Sequence, residues 1–103
     1  MSRKKDYAPS ILQTGKGCWL CGRRDRKLDR HEVFPGPFRQ KCKEDGLWVL
    51  LCHEDCHEGP RGAQYDPAVR RYLSAFAQGK AMEKYGWSLE EWRQRYGKNY
   101  LEE

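Results

Sequence analysis

Apolar positions change their spacing near residue 66, and the change divides the chain. Upstream, residues 28–34 (Leu-Asp-Arg-His-Glu-Val-Phe) predict a short strand stopped by Pro35, Gly36 and Pro37. Residues 47–51 (Leu-Trp-Val-Leu-Leu) form a continuous apolar run of strand length between turn signals. The charged stretch 38–45 between them predicts a loop or one or two helical turns ending at Gly46. Downstream the period is helical. Asp66 and Pro67 offer an N-cap with proline at the first helical position. Val69, Tyr72, Leu73 and Phe76 follow at i, i+3, i+4 and i+7, and the helix is expected to run on to Tyr85, before Gly86. Gly79 weakens its middle. Ser88 and Glu91 form a capping box for a second helix, with Leu89, Trp92 and Tyr96 on one side and Gly97 at its end. At this spacing the aromatic residues read as core, because no basic residues interleave with them.

The expected class is α+β: a flexible basic tail over 1–10, a core over 11–66 and a helical segment over 67–103 packing on that core. Of 103 residues only 38% are hydrophobic and 34% are charged, so the apolar core is small and calls for a staple. Five cysteines supply it. Their number is odd, four of them are paired at Cys18/Cys21 and Cys52/Cys56, and the basic N-terminus lacks an apolar leader. Metal binding in a reducing compartment fits this better than disulfides, and the expected location is cytoplasmic. No apolar run is long enough to span a bilayer, so no membrane association is expected.

The Cys18-x2-Cys21 turn, with glycines on either side, is ordinary zinc-ligand spacing. The Cys52-x3-Cys56 pair suits the start of a helix, where residues four apart share a face. A structural Zn²⁺ on Cys18, Cys21, Cys52 and Cys56 is the expectation. Cys42, between two lysines, reads as a free thiol with no nucleophile context. Charge is uneven: residues 1–43 hold 12 Lys and Arg against 4 Asp and Glu, a balance of +8, while the remainder stands at −3. Four thiolates and one Zn²⁺ would still leave the whole chain at +3. Nucleic acid is the natural partner for a positive half of this kind.

The cysteine pairs enclose a second polar set: His31-Glu32 on the first strand, with His53 and His57 interleaved with the last pair. Cys-x2-Cys, His-Glu-Val-Phe-Pro-Gly, Gly-Leu-Trp-Val-Leu-Leu-Cys and Cys-His together resemble the small zinc-stapled HNH (His-Me finger, ββα-metal) endonucleases of bacteriophages. The likeness covers about residues 18–66, and Tyr96-Gly-Lys-Asn-Tyr100 also looks like that group. The resemblance implies a ββα-metal core and hydrolysis of DNA phosphodiesters in phage DNA processing or recombination. It also implies a catalytic divalent ion, Mg²⁺ or another, beside the zinc. On that alignment His31 is a metal ligand, Glu32 the general base and His57 the second ligand.

The chain departs from the family in three places: Glu32 stands where the base is normally histidine, Leu47 where the central asparagine falls, and Gln64 where related sequences carry a further histidine. A shift of one residue makes His31 itself the base and leaves Glu32 an orienting neighbour. His53 reads as a solvated histidine or, four residues from His57, as a further ligand. Arg23, Arg24, Arg26, Lys27 and Arg30 read as a solvated hairpin or as a ridge that tracks phosphates with little sequence readout. The competing class is a catalytically inactive, zinc-stapled nucleic-acid-binding accessory protein, and a zinc-stabilised protein adaptor is a third. RNA stays open beside DNA, as does the oligomeric state.

Overall fold

The two predicted strands pair with each other. The fold, taken from a computed structural model, is described for residues 7–25, 27–34, 36–57 and 66–101. Strand β1 (Leu28–Glu32) lies antiparallel to β2 (Trp48–Cys52), with Leu28 opposite Cys52 and His31 opposite Val49. Side chains alternate across a strand, so Asp29 and His31 leave one face of β1, Arg30 and Glu32 the other. Strand β1 is two residues shorter than expected. Beyond Glu32 the chain bends inward: Val33 donates its N–H to the Leu47 carbonyl, and Phe34 donates its own to the Cys42 sulfur.

The charged stretch between the strands is helical. A 3-10 turn (Gly36–Phe38) leads into α1 (Arg39–Asp45), which stops at Gly46. Gly46 has φ +75°, and a Cβ there would run into the Pro9 carbonyl, so glycine is required on two counts. Cys42 lies on the inner side of α1 and is fully buried, and burial pushes its thiol up to about 12. It is a packed core residue with no thiolate to offer.

Helix α2 (Pro67–Tyr85) begins as its cap predicts, the Asp66 carboxylate accepting the Ala68 N–H at 2.9 Å. Its buried face is Leu73, Ala77, Gln78 and Ala81, rotated from the expected stripe. Tyr72 is 63% exposed, and with Phe76 it packs beside Trp19 rather than in the core. The small Ala77 and Ala81 take the fully buried places on the helix, where the bulkier Tyr72 stays at the surface. Helix α3 (Leu89–Tyr96) has the predicted capping box in full. Trp92 and Tyr96 stack at 4.3 Å and close that side of the core without Leu89, which is 40% exposed.

Two polar clamps fix the helices. The Asp45 carboxylate accepts from Arg95 Nε at 2.6 Å and from the Tyr96 hydroxyl at 2.7 Å, tying α1 to α3. Buried Gln78 donates to Asn99 and accepts the Tyr100 N–H at 2.6 Å, which seats the Tyr100 ring 4.8 Å from Phe34. Asp45→Ala strands Arg95 and the buried Tyr96 hydroxyl together. It is expected to cost about 3 kcal/mol, the low end for breaking a buried pair, because Arg95 keeps partial solvent access. Urea denaturation measures the loss.

The expected tail is anchored where it is described. Ala8 donates to the Lys43 carbonyl, the Ser10 hydroxyl to the Trp48 carbonyl, and the Tyr7 hydroxyl to Glu32. The sheet and helix α1 therefore hold residues 7–10, which the sequence assigned to a flexible segment; residues 1–6 lie outside the described residues. Among the described residues no helix is long and apolar enough to cross a membrane.

Candidate functional site

The first cysteine pair sits in a knuckle closed by its own backbone. Cys18 donates its N–H to the Arg23 carbonyl, and Gly22, at φ +79°, donates to the Cys18 carbonyl, both at 2.8 Å. Trp19 donates to the Leu50 carbonyl at 2.7 Å, pinning the knuckle to β2. The second pair does not share a helix face, as the spacing suggested. Cys52 stays in the strand ladder opposite Leu28, and a wide turn of π type (His53–His57) brings Cys56 back.

The four sulfurs of Cys18, Cys21, Cys52 and Cys56 lie within 4.8 Å of one another, with Cys21 and Cys52 at 3.7 Å. A tetrahedron with Zn–S bonds of about 2.3 Å has edges of about 3.8 Å. The cluster therefore has the geometry to hold a metal ion such as zinc. Its electrostatics ask for one. Burial opposes ionisation of Cys18, but backbone N–H groups of Cys21, Cys52 and Leu20 outweigh it and bring the thiol to about 7. Burial and the neighbouring sulfurs push Cys56 up instead. Four thiolates cannot share this space without a cation among them.

A second cluster lies beside the first. Asp29 Oδ2 is 2.6 Å from His53 Nδ1 and 2.9 Å from His57 Nδ1, and these three side chains form a group of metal-binding size. The His31 ring stands edge-on to His57 with centroids 5.1 Å apart. The chain has three histidines, and all three meet here. Burial would push Asp29 up, but hydrogen bonds from the two imidazoles outweigh it and hold the carboxyl below its ordinary range. His31 is brought down to about 4 by burial and by the charge that His57 can carry, so its ring is neutral at pH 7.

Sequence reasoning passed over Asp29, although its signal was present: it stands two before His31 and so on the same strand face. His53, expected as a solvated histidine or as a further ligand, is bound to Asp29. Glu32 leaves the opposite face and is buried, one carboxylate oxygen accepting from Tyr7 and the other 3.5 Å from Arg39 Nε. Leu47, at the place of the family's asparagine, is fully buried in the core.

His31, Glu32 and His57 line a cleft of about 740 Å³ between the end of β1, reached from both its faces, and α2. Among the described residues three arginines line it as well: Arg30, Arg39 and Arg70. Arg30 belongs to the predicted basic ridge, and its guanidinium lies 4.4 Å from the Tyr7 ring centre. The rest of that ridge lies elsewhere. Arg23 is engaged with Asp25 at 3.3 Å, Arg24 and Lys27 are exposed away from the cleft lining, and Arg26, like Gln64, falls outside the described residues. Arg39 and Arg70 escaped the sequence reading because they lie outside the basic run 23–30 and only the fold brings them to the cleft.

Comparison of the chain with protein-family models, with curated proteins and with solved structures finds no match.

Proposed function

We propose that this chain is a metal-dependent, HNH-type endonuclease that hydrolyses phosphodiester bonds in DNA. One observation carries the reading: His31 and His57 line an arginine-bearing cleft, and His57 is tied through Asp29 to His53, beside a four-cysteine staple. The staple, loaded with Zn²⁺, fixes both ends of the segment that bears the site.

His57 and His53 are the residues to hold the catalytic ion, and Asp29, within hydrogen-bond distance of both Nδ1 atoms, orients their rings. Two imidazoles suit Mn²⁺ or a later first-row ion better than Mg²⁺. A divalent ion bound there supplies positive charge to the phosphate oxygens and the leaving oxygen. His31, which lines the cleft beside His57, takes the proton from the attacking water as its oxygen bonds to phosphorus and the opposite P–O bond breaks. That adopts the one-residue shift: His31 is the base. Glu32, on the other strand face and engaged by Tyr7 and Arg39, orients Arg39 towards a phosphate.

Incubating the zinc-loaded protein with supercoiled plasmid and Mg²⁺ or Mn²⁺ tests the proposal. Nicking is expected in the wild type and is expected to vanish when His31→Ala and His57→Ala are combined. No nicking in the wild type, or equal nicking in the double variant, overturns it. The buried, engaged Glu32 and apolar Leu47 favour one other reading, a catalytically inactive nucleic-acid-binding protein. Salt-dependent DNA binding that survives the double substitution and collapses in Cys18→Ser identifies that case.

A further inference from the structure

We infer that the cleft takes a single unpaired nucleotide, so that the substrate is single-stranded DNA or a single-stranded region of a larger DNA. This rests on the reading of the cleft as a nucleic-acid site. The histidines that line it are recessed: the His57 side chain is 18% exposed and His31 is half-buried. A phosphate that reaches them must descend between β1 and α2, carrying its own sugar and base along. The space of about 740 Å³ is of small-ligand size. Bases inside a duplex are stacked and paired, and enzymes with recessed sites act on single strands or extrude the base at a cost.

The cleft wall matches an unpaired base. It is built on Val33, Phe34 and Leu73 and finished by the half-buried ring of Tyr100. That ring is held in advance, through the Tyr100 N–H on Gln78 and the contact with Phe34. A charged sugar-phosphate gains nothing from such a wall, whereas a base gains stacking area. The exposed Arg39 and Arg70 line the same cleft and are available to the flanking phosphates. Lys98, exposed with its ammonium 5.4 Å from the Tyr100 ring centre, is a further cation on that side, displaceable by a base. An aromatic ring for a base, with cations near it for the backbone, is how single-stranded nucleic acid is gripped without sequence readout.

Fluorescence anisotropy of zinc-loaded protein, without a second added metal, tests this using labelled oligothymidine and a blunt hairpin duplex of equal phosphate count. Single-strand affinity is expected to exceed duplex affinity at least tenfold. Tyr100→Leu is expected to lower it roughly five- to hundredfold, the range of one base–aromatic stack, with little change on the duplex. Should Tyr100→Leu melt early, Arg70→Ala on the exposed surface serves instead, with weaker single-strand binding and a salt slope reduced by about one. Equal affinity for both DNAs, or unchanged single-strand affinity in the folded variants, overturns the inference. Single-strand preference with no hydrolysis of any DNA keeps the inference and removes the nuclease reading. His57-dependent hydrolysis of duplex as fast as of single strand keeps the nuclease reading and removes the inference.

Discussion

Removing zinc with a strong chelator is expected to unfold residues 18–56 and to lower the melting temperature by tens of degrees. The four sulfurs join the knuckle to the end of β2 and the wide turn that follows it. Among the described residues the knuckle's backbone bond to β2 is Trp19–Leu50, while the turn is held to β1 by His53 and His57 on Asp29 and by His53 N–H on the Lys27 carbonyl at 2.9 Å. Structural zinc contributes roughly 10–16 kcal/mol at neutral pH, whereas a whole domain is stable by about 5–15 kcal/mol. Losing the ion therefore outweighs everything the small apolar core supplies. Cys52→Ser should be as damaging as chelation, since Cys52 is fully buried and its replacement leaves three sulfurs without a fourth donor. Acid should act in the same direction, because each thiolate must bind a proton as the metal leaves. Far-UV circular dichroism during chelator titration, with zinc counted per chain, checks all three. A metal-free preparation with unchanged melting would contradict them.

The parts of this fold that were legible in the sequence are those set by local chemistry. The caps at Asp66 and Ser88 and the stops at Gly86 and Gly97 lie where short-range hydrogen bonding puts them, and the apolar run before Cys52 is the buried strand. The cysteine cluster was legible for a similar reason, since few arrangements satisfy two close pairs of soft ligands. What was not legible depends on distant partners. The face of α2 turns on which neighbours it meets: Ala77 and Ala81 are buried while Tyr72 stays exposed. The wide turn after β2 follows from Cys52 remaining in the ladder, which the spacing of the pair does not reveal. Residues 7–10 looked like a tail because they lack periodicity, yet backbone bonds to α1 and β2 hold them without any. Asp29 and Arg70 look like ordinary surface charges until the fold gives each a position at the site.

His57→Ala is expected to abolish metal-dependent hydrolysis, and Asp29→Asn separates two roles for the carboxylate. Asp29 Oδ2 faces the Nδ1 of both histidines at hydrogen-bond distance. If both rings donate Nδ1–H to it, their Nε2 atoms are the free donors for an ion and Asp29 orients them. Loss of such an orienting carboxylate costs about 10- to 100-fold in metal affinity or activity. If Asp29 is itself a ligand, its conversion to a neutral amide removes the one anionic donor of the group, and the loss should exceed about 100-fold. The orienting role is the expected one, because one oxygen shared between two ring nitrogens at 2.6 and 2.9 Å leaves little room for an ion among the three. Asp29→Asn should then retain activity that added Mn²⁺ restores, whereas His57→Ala should not recover at any metal concentration. Melting temperatures should change little in both, since the cysteine cluster holds the turn independently. Titration of Mn²⁺ by electron paramagnetic resonance, alongside initial rates at several metal concentrations, reads both effects. An Asp29→Asn protein as inert as His57→Ala would make the carboxylate a ligand, and a fully active His57→Ala protein would place the chemistry elsewhere.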